Sequence, residues 1–311
     1  SDGLTADGPD RRPTPSRPSR GTTRRVLERR EARIGLLFAL PAFLLFLLFR
    51  FGPAIAGVAL SFFDYDIGVG AEWTGVENFR RMVDDPIFWS ALRVTVVLSG
   101  LIVPVSLAIS TFMALMVRRS FRGSGFYRSV FFLPVVTSLV LAATVFTWVF
   151  STNGPWSKLM GALGFSTDSW LGDTLLVLPA LAMVAIWSRF GYGMLILLAR
   201  MQDLPRDLEE AAAIDGAGPW KRFWFIIAPQ LKPTLFFLAV IETTASFQIF
   251  DLVYVMTAGG PARASYNLVF YIYDQGFKYF DLGYASALGV ALFVVTLVVA
   301  LIQRYAIGRD K

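Results

Sequence analysis

Six stretches of this chain are each long and apolar enough to cross a hydrocarbon core, which takes about 20 residues of helix. They lie at 34–61, 91–117, 126–150, 174–200, 233–257 and 283–307. Lipid offers no partner to a bare backbone amide, so such segments must close their own hydrogen bonds as helices. The fold class this predicts is an all-α integral membrane protein of six transmembrane helices. Composition agrees: 55% of the 311 residues are hydrophobic and only 17% are charged, too apolar a balance for an ordinary soluble domain. Arg50 and Gly52-Pro53 interrupt the first stretch, which therefore either kinks in its outer third or ends near Phe49. In the first case Arg50 snorkels outward from its span.

The loops set the orientation. With the amino terminus inside, the cytoplasmic segments hold nine Lys/Arg in 1–33, four in 118–128, five in 200–232 and three after 303, against six in the outside segments. The positive-inside rule then places both termini in the cytoplasm. The formal charge of +6 is thereby explained by topology, and no nucleic-acid partner is expected. Residues 1–33 read as a basic, disordered cytoplasmic tail, rich in Pro, Ser, Thr and Arg with no run that could pack. Residues 34–90 read as the first span plus an acidic and aromatic exterior cap, and 91–311 as a five-helix core. There is no histidine and no cysteine, which removes imidazole acid/base chemistry, thiolate chemistry and the common zinc sites.

Between the fourth and fifth spans, 201–232 reads MQDLPRDLEEAAAIDGAGPWKRFWFIIAPQLK, a charged insert in a greasy chain. Pro205 can open a helix, Asp207, Glu209 and Glu210 suit its positive end, and Ala211 to Ala213 propagate it. Asp215-Gly216 ends it, because glycine tolerates the left-handed C-cap. Pro219 opens a second short helix that should stop at Pro229. The local signals predict a helix-turn-helix on the inner membrane surface.

The spacing of Glu210-Ala211-Ala212, Gly216, Ile226 and Pro229 resembles the EAA motif of inner-membrane subunits of ATP-binding-cassette importers, with Ala228 in place of the usual Leu. FFDYDIG, WTGVENF and DDPIFWSALRVT, together with FQIFDLVYVMTAGGP at 247–261, narrow the resemblance to carbohydrate-uptake permeases of the maltose and glycerol-phosphate type, although Val94 replaces a customary Asn. The resemblance implies a bacterial cytoplasmic-membrane subunit. Its partners would be a second permease, two ATPase chains that carry ATP and Mg2+, an exterior substrate-binding protein and membrane lipid. No cofactor would be bound by this chain. Glu209, Glu210, Ala211, Ala212, Asp215 and Gly216 would couple to the ATPase, the acidic groups offering partners to its cations.

Charges inside spans are costly, so each asks for an explanation. Arg189 in the fourth span and Glu242 in the fifth both fall about 3 to 5 Å to the cytoplasmic side of mid-span at about 1.5 Å per residue. They either fasten the two spans or line a substrate path. Ser246 shares the face of Glu242 one turn on, whereas Gln248 and Asp251 point elsewhere. The resemblance places Arg189, Glu242 and Ser246 at a sugar site, with Trp187, Ser188 and Tyr192 close by. Trp148 and Tyr192 either stack on a sugar ring or belong to the lipid-facing belt. The run YNLVFYIYDQGFKYF reads as interfacial anchoring with a docking surface for the binding protein. An arginine can grip a phosphate bidentately or, beside a glutamate, hydrogen-bond neutral hydroxyls. The ligand expected is a sugar or oligosaccharide, the alternative glycerol 3-phosphate or a glycerophosphodiester.

Two other classes are weaker. A secondary transporter needs coupling carboxylates and usually an internal repeat, and the spans hold a single glutamate and no clear repeat. A membrane enzyme that hydrolyses nucleotide needs a phosphate loop, and no G-x-x-x-x-G-K occurs.

Overall fold

The computed structural model describes residues 34–66, 70–118, 122–165 and 168–307. The expected tail at 1–33 lies outside them. The chain divides into two units, residues 1–56 and 57–311.

The described part of the first unit, 34–56, is helical and exposed throughout. It belongs to α1 (Ile34–Leu60). Arg50 and Pro53 do not end this helix. A π-turn at Leu47–Phe51 closes with Gly52 N–H donating to the carbonyl of Leu47, and the wider turn accommodates the proline ring and its missing donor two residues on. A helix with apolar side chains on every side has lipid as its natural solvent.

The second unit begins with a hairpin absent from the all-α expectation. β1 (Phe63–Asp66) pairs antiparallel with β2 (Gly70–Trp73), Phe63 opposite Trp73 and Asp66 opposite Gly70. Phe62 stacks on Trp73 at 5.9 Å and Phe63 meets its edge at 5.0 Å, cross-strand aromatic contacts of the kind that stabilise short pairs. The fold is therefore mostly helical with one small sheet. α2 (Glu77–Asp84) follows; buried Asn78 donates to the carbonyls of Ser61 at 3.1 Å and Phe63 at 2.9 Å, pinning the hairpin to it.

α3 (Pro86–Val117) has Asp85 as its N-cap and a proline at its first turn. α4 (Ser124–Val136) and α5 (Leu139–Val149) replace the single span expected at 126–150, and their axes are bent by 94°. Thr137 and Ser138 are extended there, and Thr137 returns its hydroxyl to the carbonyl of Leu133 at 3.0 Å. Pro134 begins the disruption by removing one helical donor. After α6 (Pro155–Ala162) comes α7 (Val177–Gln202), the most buried of the long helices.

The hairpin segment holds α8 (Arg206–Ile214) and then α9 (Pro219–Phe247). The expected stop at Pro229 does not occur. A π-turn at Phe223–Ile227 precedes that proline, as at Pro53, and the helix runs on. It ends ten residues before the expected boundary: 248–250 break it, and α10 (Asp251–Met256) is separate. α11 (Leu268–Tyr273) and α12 (Leu282–Ile307) complete the chain. Among the described residues five helices meet the length and composition of a span, or six if the bent pair counts as one.

A polar knot ties the hairpin end together. Asp85 accepts from the hydroxyls of Tyr271 and Tyr284, the latter at 2.7 Å, and from Ile87 N–H at 2.8 Å. Arg81 donates to Asp281 at 2.6 Å and lies over the Tyr284 ring at 4.0 Å. Burial pushes the Asp85 carboxyl up, but the hydrogen bonds from both tyrosines and from backbone N–H groups outweigh it and hold the group below the ordinary carboxylate range. Burial and the bond to Asp85 push Tyr271 up to about 12. A depressed folded-state pKa contributes stability that is complete above the unfolded value, near 3.9, and lost as pH falls through the folded one. Asp85→Ala is expected to cost about 1 to 3 kcal/mol through the lost cap and hydrogen bonds. Thermal unfolding of the detergent-solubilised protein should show the variant's deficit at pH 7 shrinking below about pH 4.

Candidate functional site

Arg189 on α7 and Glu242 on α9 meet. Nε donates to Oε2 at 2.8 Å and Nη2 to Oε1 at 3.4 Å, a two-pronged pairing that fixes the guanidinium plane. The Glu242 side chain is 2% exposed and that of Arg189 33%. The carboxylate is thus enclosed and the arginine shows one edge outward. Close packing around α7 makes this possible: a Cβ on Gly191 would lie 2.3 Å from the carbonyl of Phe131 on α4, so any side chain there would force α4 away. On the same helix the Phe190 carbonyl accepts from Ser110 of α3 at 2.9 Å.

The open edge of Arg189 faces a cavity of about 510 Å³. Ser188, Tyr192, Pro134, Thr137, Gln248 and Asp251 are among its lining residues. Of the residues expected here, Arg189, Ser188 and Tyr192 reach it. Glu242 stands behind Arg189. Ser246 is buried, its hydroxyl donating to the carbonyl of Thr243 at 2.8 Å and lying 2.6 Å from the hydroxyl of Ser99. Trp187 meets the edge of Phe146 at 5.2 Å, and Trp148 is 62% exposed and lines no part of the cavity. Sequence reasoning missed Gln248 and Asp251 because it assumed a helix through 257. The break after Phe247 turns both into the cavity, and no proline or glycine in the sequence announces it.

The second candidate element is the hairpin. α8 closes with Ala217 N–H on the carbonyl of Ala212 at 2.8 Å and Gly216 N–H on that of Ala213 at 3.1 Å, the Schellman pattern, with Gly216 at φ +77. That left-handed turn is where a β-branched residue is strained. Glu210, Ala211, Ile214 and Asp215 are exposed, Ile214 by 87%. Glu209, unlike its exposed neighbour Glu210, has a partner within the chain: the Arg118 guanidinium holds it. The same Nη2 donates to the carbonyl of Met201 at 3.2 Å. One cation therefore joins the ends of α3 and α7 to the first turn of α8, and Arg128 caps α3 through the carbonyl of Val117 at 3.0 Å.

Long apolar helices, a break-lined cavity at the buried charge pair and a charged hairpin between two of the long helices are the features of a membrane-embedded transport subunit. Residues 106–309 match the family described as binding-protein-dependent transport system inner membrane component, and the chain belongs to that family. It is 33% identical to the lactose transport system permease protein LacF of Rhizobium radiobacter, over 93% of this chain and 99% of that protein. It is 34% identical to the sn-glycerol-3-phosphate transport system permease protein UgpA of Agrobacterium fabrum, over 86% and 92%. The fold is shared with a bacterial ABC transporter that imports the acidic polysaccharide alginate, at a TM-score of 0.77 and 23% identity, over 92% of this chain and 99% of that one.

Removing the counter-charge should be costly, because a buried ion left alone keeps its desolvation penalty. Glu242→Ala is expected to lower stability by about 2 kcal/mol or more, and Gln248→Ala by well under 1 kcal/mol. Thermal melts of the two purified variants check the difference.

Proposed function

We propose that this chain is one of two permease subunits of an ATP-driven importer, and that its cavity passes a neutral sugar or oligosaccharide. The observation that carries the substrate class is the spent charge of Arg189. Its guanidinium is already engaged at two nitrogens by Glu242, and Asp251 is a further carboxylate on the cavity wall. A phosphate dianion would meet no surplus of positive charge there. Sugar hydroxyls would find donors on Arg189, Gln248 and Tyr192 and acceptors on Asp251 and Gln248. The likeness to a lactose permease supports this reading; the equal likeness to a glycerol-phosphate permease keeps that ligand as the rival.

Uptake into proteoliposomes with the cognate binding protein separates the two. A neutral saccharide should enter and glycerol 3-phosphate should not, and Arg189→Gln should reduce saccharide uptake at least tenfold, the loss of one or two charge-assisted hydrogen bonds. Uptake of glycerol 3-phosphate that Arg189→Gln abolishes would overturn the sugar reading.

The hairpin is the coupling element in this reading, seated in a cleft of an ATPase partner that holds ATP and Mg2+. Glu210, Ala211, Ala212, Asp215 and Gly216 form the docking turn, and exposed Ile214 supplies apolar area to be covered. Glu209 acts inward: through Arg118 it binds the docking helix to α3 and α7, so that a displacement of α8 moves both spans rather than bending the loop. With this hairpin on the cytoplasmic face, the β1–β2 end lies outside, where a substrate-binding protein docks.

The two glutamates should consequently fail differently. Glu210→Lys is expected to release the ATPase during co-purification. Arg118→Gln and Glu209→Gln should leave the complex assembled but lower the sugar imported per ATP hydrolysed severalfold, and Arg118→Glu with Glu209→Arg should recover part of that ratio. An unchanged ratio in both single variants would remove the coupling role of the clip.

A further inference from the structure

The end of the bundle opposite the coupling hairpin holds a second cavity, of about 610 Å³. α3 connects the two ends: Ile87 in its first turn lines this cavity, and Arg118 at its other end grips Glu209. Its 32 residues span about 48 Å at 1.5 Å per residue. The two cavities share no lining residue.

The walls of this outer cavity are fixed by bonds already made. Arg81 is held by Asp281 at 2.6 Å, Tyr266 donates to Asp274 at 2.7 Å, and Tyr271 donates to Asp85. Besides the hydroxyls of Tyr65 and Tyr279, three polar lining side chains are left with unspent capacity. Among the described residues the side chains of Asp64, Gln275 and Arg263 have no hydrogen-bond or ion-pair partner, that of Arg263 making only a loose contact with the Tyr266 ring at 5.9 Å. One carboxylate, one carboxamide and one guanidinium give donors and acceptors without a surplus of either charge. Beside them stand the rings of Tyr65, Tyr279 and Phe280, flat apolar faces with polar rims. Two of the lining residues also carry backbone strain: Arg263 at φ +64 and Phe280 at φ +61 occupy the left-handed region without being glycine. Such strain costs of order 1 kcal/mol or more and collects at ligand clamps.

We propose that this cavity is a second saccharide site, an outer one, that holds a neutral sugar between the tyrosine rings while Asp64, Gln275 and Arg263 bond its hydroxyls. Its volume is that of a small-molecule pocket, which runs from about 300 to 1,000 Å³. Amphipathic rings with vicinal hydroxyls are the ligand class that uses flat aromatic faces and mixed donors and acceptors together. The charge balance disfavours an anion, as it does at Arg189. The proposal rests on the sugar reading above and extends it: sugar released outside would be retained at the mouth before entering the path.

The test uses the full importer in lipid nanodiscs, both permeases and both ATPases, without the binding protein. Thermal shift of the cognate binding protein against lactose, maltotriose and glycerol 3-phosphate first checks the sugar reading itself. The saccharide it selects is then titrated against the nanodisc complex by saturation-transfer NMR. Wild type should bind it, and Arg263→Ala and Asp64→Asn should each weaken binding roughly tenfold, the loss of one charge-assisted hydrogen bond. Tyr279→Phe, which removes only a hydroxyl, guards against misfolding as the cause and should weaken it less. Arg189→Gln should leave this binding in place.

Binding protein that takes glycerol 3-phosphate and no sugar overturns the sugar reading. A sugar taken by the binding protein whose binding to the complex is absent, or depends on Arg189 and not on Arg263 and Asp64, overturns the outer site alone. Loss of binding-protein docking in Arg263→Ala with unchanged saccharide signal would likewise overturn it, assigning the cavity to a protein side chain.

Discussion

A backbone group at membrane depth has no water to bond, so each interruption of a helix must be answered by protein or by a polar cavity. Two interruptions fall within apolar segments of this chain, at 137–138 and 248–250, and both line the cavity at Arg189. Each is answered in part from inside. Thr137 returns its hydroxyl to the carbonyl of Leu133. Buried Asn267 donates to the carbonyl of Ile249 at 2.6 Å and accepts from Phe270 N–H at 3.0 Å, so one side chain repairs the α9–α10 break and starts α11. Where the helices fail, the remaining polar groups face space that water or a hydroxylated ligand can fill.

The same economy governs the charges. Arg189, Arg118 and Arg81 each have a carboxylate partner and each joins elements distant in sequence. Lipid-facing surfaces supply little hydrophobic drive for helix association, so packing and polar contacts between helices carry more of the specificity. Gly191 serves the packing by letting α4 approach α7, and the Ser99–Ser246 and Gln303–Thr243 bonds, the second at 2.7 Å, fasten α9 to α3 and α12. Glu242 therefore lies within a continuous polar seam, which explains why it is buried while Arg189 keeps an open edge.

Much of this was legible in the sequence because hydrophobic length and local capping are one-dimensional signals. The apolar stretches, the Gly216 turn and the matched depth of Arg189 and Glu242 follow from runs, spacings and rise per residue. What stayed hidden depends on contacts between distant segments or on a competing local geometry. Pro53 reads as a kink or an end and Pro229 as a helix stop, yet a π-turn precedes each and the helix runs on. Glu209 and Glu210 are indistinguishable as neighbours until Arg118, 91 residues away, selects one. The helix break after Phe247 has no proline or glycine to announce it, so Gln248 and Asp251 were assigned to the wrong face.

α3 connects the two ends of the second unit. At one end Asp85 and its two tyrosines anchor it beside the cavity of about 610 Å³, and at the other the Arg118 clip ties it to α7 and α8. Its middle packs closely on α7, through Ser110 among others. In the proposed function a push on α8 reaches α3 and α7 together, because the Arg118 clip bonds to both the first turn of α8 and the end of α7. Because Arg189 rides on α7 and Glu242 on α9, such a shift would act directly on the pair beside the cavity, which in the proposed function is where a movement of α8 alters access to it.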